Sequence, residues 1–189
     1  MSLPATPSQT AGPYFHIGLG WLVRTELFGP AARGERVTVW GRVLDGDGRP
    51  VEDALLEIWQ ADADGRYPRP AVPGEGAGAP ALDGFGRIPT DRDGRFRFGT
   101  IVPGPVPGPG GRTQAPHLLV SVFMRGLLRR LVTRVYFPGQ PGNADDPVLG
   151  LVEPDRRGTL VARRGRKDPA LLEWNVVLQG DAETVFFDC

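Results

Sequence analysis

Glycine and proline recur so often along this chain that no long helix fits between them. There are 27 glycines and 20 prolines among 189 residues, at the edge of the composition range that reads as disordered. Proline removes a backbone donor and glycine weakens regular elements, so each pair closes one short segment and opens another. The segments between them are strongly apolar, which argues for a turn-rich all-β fold over disorder.

The strands can be read from these segments. "RVTVWGRVL" (36–44) and "VEDALLEIWQA" (51–61) are expected strands joined by the turn "DGDGRP". "DRDGRFRF" (91–98) repeats the device, an Asp-Gly turn followed by apolar residues alternating with arginine. "HLLVSVFMR", "LVTRVYF", "EWNVVLQG" and "TVFF" supply further strands, and 144–164 has room for a short helix or two. The stretch 66–90 has Pro or Gly every few positions and reads as one long loop, of the kind that is more often functional than idle. The expected fold is all-β: a β-sandwich (35–189) with an N-terminal extended arm (1–34) and long loops. In the arm, Phe15, Ile17, Leu19 and Trp21 are the apolar residues available for docking.

Charge and cysteine narrow the function classes. Lys plus Arg equals Asp plus Glu at 22 each, so nothing recommends nucleic acid or an anionic membrane as a partner. The only cysteine is Cys189, which excludes an internal disulfide and suits a reducing cytoplasm. "MSLPATPSQT" has no basic segment and no apolar core, so it does not read as a secretory signal. The longest nearly apolar run, Leu118 to Met124, is too short to span a bilayer.

Candidate chemistry centres on His117, set in the apolar run "QAPHLLVSVF". Two ligands on one strand chelate an ion when they are two residues apart, because both then face the same side. The partner positions of His117 are Ala115 and Leu119, and neither has a donor atom. Spacing alone therefore favours a half-buried histidine with a hydrogen-bond partner over a metal ligand. No phosphate-binding glycine loop, nucleophile elbow or His/Cys cluster occurs, and Cys189 reads as incidental. "QADADG" (60–65) lacks the later glutamate of a calcium loop and reads as a solvated turn.

Taken together and in order, five segments identify a relative. "TPSQTAGPYFHIGL", "GRVLDGDGRPVEDALLEIWQADADGRY", "DRDGRFRFGTIVPGPVPG", "APHLLVSVFMRGLLRRLVTRVYF" and "DAETVFFDC" resemble the intradiol ring-cleavage dioxygenase family over nearly the whole chain. The resemblance implies a β-sandwich that cleaves a catechol between its two hydroxyl-bearing carbons, using non-haem Fe(III) and O₂. In the iron-bearing chains of the family, two tyrosines and two histidines hold the metal. Tyr67 in "GRY" matches the first tyrosine, but "PGPVPG" puts Val106 at the second. His117 matches the first histidine, and Leu119 stands at the second.

With two of four donors missing, the chain resembles the alpha-type subunit of the heteromeric members of the family, one without its own iron. The resemblance then implies a beta subunit that carries the Fe(III), assembled with this chain in αβ pairs. It also implies a small aromatic substrate bound at the interface of the two. Thr10, Gly12, Pro13 and Tyr14 match the arm segment that lines this pocket from the alpha side. Arg125 matches an arginine near the substrate entrance, where a guanidinium suits a carboxylate. Two alternatives stay open: a self-sufficient dioxygenase using Tyr67, His117, Tyr136 and His16, and a non-enzymatic binding or scaffold module.

Overall fold

The computed structural model describes residues 6–12, 14–68 and 83–188, with the side chains of Tyr14 and His16 outside that description. Two sheets face each other. The first is built on β1 (Arg36–Leu44), which pairs antiparallel with β4 (Arg95–Ile101) on one side. On its other side β1 pairs parallel with β10 (Leu171–Glu173) and β11 (Val176–Val177), and β10 carries β9 (Arg163–Arg164). The second sheet is antiparallel throughout, in the order β3 (Phe85–Pro89), β2 (Leu55–Trp59), β7 (His117–Phe123), β8 (Leu131–Tyr136). A small hairpin of β5 (Val106–Pro107) and β6 (Thr113–Gln114) stands apart.

Alternation decides the inside. Val37, Val39 and Val43 of β1 and Phe96 and Phe98 of β4 are buried with Leu56 and Ile58 of β2 and Leu118, Val120 and Val122 of β7. The intervening residues of β7, His117, Leu119, Ser121 and Phe123, therefore lie on the outer face of the second sheet. Among the described residues no helix is long and apolar enough to cross a membrane.

Three turns share one construction, Asp-x-Asp-Gly-Arg, at 45–49, 62–66 and 91–95. In each, the first aspartate accepts the N–H groups two and four residues on, at 2.8–2.9 Å. The glycine adopts φ of +76°, +77° and +67° in turn, which only glycine adopts without strain. "QADADG" is the middle of these three turns, and the Asp62 carboxylate is taken by its own backbone.

Several expectations need correction. β3 lies inside the stretch read as one long loop, because Phe85–Pro89 pairs with β2 and leaves its proline at the strand end; residues 69–82 lie outside the described ones. "TVFF" forms only a bridge, Val132 to Phe187, and "EWNVVLQG" divides into β10 and β11 around Trp174. The interval 144–164 does hold two short helices as expected, each a single 3₁₀ turn, Leu149–Leu151 and Arg157–Thr159. In the arm, Ile17 and Trp21 are 76% and 79% exposed and do not dock on this chain, whereas Leu27 and Phe28 enter the core.

Candidate functional site

The face expected to chelate is built by β7 and β8 in register. His117 pairs with Tyr136 and Leu119 with Arg134, so all four side chains share the outer face. His117 is buried, and its Nδ1 lies 2.7 Å from the Ala115 carbonyl oxygen. That bond fixes Nδ1–H as the donor in the neutral ring. Burial, then the Arg134 charge, lowers the affinity of the imidazole for a proton below that of an ordinary histidine.

Arg134 is the group the sequence did not single out. Its Nη1 donates to Gln114 Oε1 at 2.7 Å and to the Tyr136 hydroxyl at 3.4 Å. The cation acts on His117, Tyr136 and Tyr67 alike. Tyr67 stacks on Trp59, ring centroids 6.2 Å apart and planes 9° from parallel, and Trp59 is the cross-strand neighbour of Leu119. Burial raises the Tyr67 phenol above its ordinary pKa.

Asp146 anchors the other side. Its carboxylate accepts the Ala115 N–H (2.7 Å), the Val148 and Leu149 N–H groups (2.9 and 2.7 Å) and the Tyr136 hydroxyl (3.0 Å). Tyr136 is fully buried, and desolvation raises its phenol far above the ordinary value, so it stays a neutral donor. The alternative ligand set that included Tyr136 therefore meets a hydroxyl already committed to Asp146, and the His16 side chain lies outside the described residues.

A ferric ion does not fit this face. Val106, buried on β5 opposite Gln114, and Leu119 supply no donor atom. Arg134 adds a positive charge beside the two donors that remain, where it would repel another cation.

The arm and Arg125 come together at a second place, the far end of β7. Thr10 Oγ1 accepts the Gly126 N–H at 2.7 Å, which ties the arm to the residue after Arg125. A hollow of about 420 Å³ there is lined by Ala11, Gly12, Phe15, Phe123, Met124 and Arg125 among others. Arg125 is 77% exposed, with its Nε 3.2 Å from Asp53 Oδ2. Gly12 is exposed with open space where a side chain would stand. Pro13 and the Tyr14 side chain lie outside the described residues, although the Tyr14 backbone begins a one-turn helix, α1 (Tyr14–Ile17).

Arg134, Gln114 and Asp146 are the residues around this face that the sequence reading did not single out. The available signal was Arg134 two residues before Tyr136 in the alternating "LVTRVYF", which puts both on one face.

Comparison with known proteins is consistent with this geometry. The family described as "Dioxygenase" matches residues 12–180. The chain is 42% identical to the protocatechuate 3,4-dioxygenase alpha chain of Pseudomonas putida, over 98% of this chain and 97% of that one. It is also 42% identical to the beta chain from Burkholderia cepacia, over 85% of this chain and 67% of that one. Among solved structures, the dioxygenase domain of a carbohydrate-binding fusion from Streptomyces sp. SirexAA-E superposes with a TM-score of 0.62 at 29% identity, covering 86% of this chain and 89% of that domain.

Proposed function

The chain belongs to the intradiol ring-cleavage dioxygenase family, and we propose that within it this chain is the alpha subunit of a protocatechuate 3,4-dioxygenase, paired with a beta chain that holds the Fe(III). The observation that carries this reading is the face around His117. Two of its four ligand positions, Val106 and Leu119, have no donor atom, and Arg134 brings a cation to the other two. Identity to both alpha and beta chains supports a pairing of homologous subunits.

On this reading the partner's ferric ion supplies the chemistry by which O₂ opens protocatechuate to 3-carboxy-cis,cis-muconate. This chain's residues shape and close the pocket. Thr10, Gly12, Pro13 and Tyr14 form its wall, with Gly12 allowing close backbone approach and Tyr14 offering a ring with a polar tip. Arg125 stands exposed beside that wall and attracts the substrate carboxylate. A chain with a single cysteine suits a reducing compartment, and we place the assembly in the cytoplasm.

Co-expression with a candidate beta chain tests the reading through protocatechuate-dependent O₂ uptake. Uptake is expected only from the mixture, with both chains co-purifying. Uptake by this chain alone would instead establish a self-sufficient dioxygenase. Failure to associate with any beta chain would leave a scaffold module.

A further inference from the structure

Arg87, on β3, is 1% exposed and outside every site residue considered above. It holds the arm by its main chain and its side chain together. Arg24 N–H donates to the Arg87 carbonyl at 3.1 Å, and Arg87 N–H donates to the Arg24 carbonyl at 3.3 Å. The guanidinium then reaches further up the arm, with Nη1 donating to Leu19 O at 3.1 Å and Nη2 to Phe15 O at 3.2 Å. Its carbon lies 4.6 Å from the centre of the Phe15 ring, a cation–π contact. Glu57 Oε1, 3.2 Å from Nε, balances the charge.

These partners answer a need on each side. The Phe15 carbonyl lies in the single turn of α1, beyond the reach of an intrahelical N–H, and requires an outside donor; Leu19 O, past the end of α1, accepts the Leu22 N–H as well as the guanidinium. A buried cation is costly to desolvate and survives only where its partners are fixed. A planar fork that spans two carbonyls meets both demands, and a point-charge ammonium does not. The neighbouring residue is shaped for the same contact: a Cβ at Gly86 would lie 2.6 Å from Leu27 Cδ1 and 3.1 Å from the Arg24 carbonyl. Phe15, so held, packs on Phe123 at 5.1 Å and borders the hollow that contains Gly12 and Arg125.

We propose that Arg87 is the positioning residue that sets the course of the arm, and thereby presents the segment Thr10–Tyr14 to the shared pocket in a single conformation. The inference rests on the reading of that segment as a wall of the pocket.

The test uses the assembled heteromer with Arg87→Lys, Phe15→Ala and, as a control for the pocket itself, Gly12→Val. Phe15→Ala leaves the sheet untouched should Arg87→Lys perturb folding. Hydrogen exchange is followed at arm amides 15–24 and at β7, together with KM and kcat for protocatechuate. Arg87→Lys and Phe15→Ala are each expected to speed arm exchange by about 10-fold while β7 stays protected. Both should raise KM about 5-fold with kcat within about 2-fold. Unchanged arm exchange in both variants overturns the inference. A KM raised by Gly12→Val but by neither of the others also overturns it, and leaves the pocket reading standing. A KM indifferent to all three overturns the pocket reading and the inference together.

Discussion

Leu119 stands directly opposite Arg134 across the β7–β8 ladder. Where a chelating strand needs its second imidazole, this chain has an isobutyl group, and the cross-strand residue that faces it is a cation. On the alpha-subunit reading, two features of this face work against a metal, the missing donors and the charge. Val106→Tyr with Leu119→His restores the donor atoms and leaves the charge. That double variant is expected to take up far less than one equivalent of iron, and adding Arg134→Gln is expected to raise uptake toward one, because the repulsion between two cations is removed. Metal analysis after dialysis reads the difference. Full loading of the double variant would assign no role to Arg134.

Tyr136 gives its hydroxyl to Asp146, and Asp146 gathers three backbone amides besides. Tyr136→Phe removes one charge-assisted bond and is expected to cost about 1–3 kcal/mol. Asp146→Ala leaves the three amides and the hydroxyl without an acceptor and is expected to cost roughly 3 kcal/mol or more. Urea midpoints at unchanged slope measure both.

Burial and the Arg134 charge hold His117 below the ordinary histidine value of 6.5. On acidification the unfolded chain takes up this proton first, so it binds more protons than the folded chain between the two pKa values. The stability contributed by the neutral ring is complete above pH 6.5 and is lost as pH falls from there through the folded-state value. His117→Gln, which has no titrating group, is expected to flatten the decline in urea midpoint on that acid side. An unaltered pH profile would mean that His117 does not titrate differently on folding.

Arg125 is tied to this chain through Nε, 3.2 Å from Asp53 Oδ2, and its side chain is 77% exposed. If it attracts the substrate carboxylate, Arg125→Ala removes binding shared by ground and transition states. KM for protocatechuate is then expected to rise about 10-fold with kcat within about 2-fold. A catechol lacking the carboxylate should show no such change. An unchanged KM removes Arg125 from the pocket.

Much of the fold was legible because alternation and turn chemistry are local. β1, β4, β7 and β8 are periodic segments, β1 and β4 beside Asp-Gly turns and β7 and β8 beside a proline or glycine, and they form where the pattern puts them. β3 was not legible, since "FGRIP" has the composition of a loop and becomes a strand through its partner β2. The arm divided in the same way. Its apolar residues were evident, but which of them dock depends on Arg87, an arginine that nothing local marks as buried. At the site, missing donors at Val106 and Leu119 could be seen by family resemblance alone. The cation could not, because Arg134 meets Leu119 only through a register that the sequence does not print.

On the proposed function, this chain contributes a wall and not a metal to a shared site. Iron content of the purified heteromer, set beside that of this chain alone, tests it most directly. One iron per pair of chains is expected, and none in this chain alone. Stoichiometric iron in this chain alone, with the colour of tyrosinate-to-iron charge transfer, would contradict it.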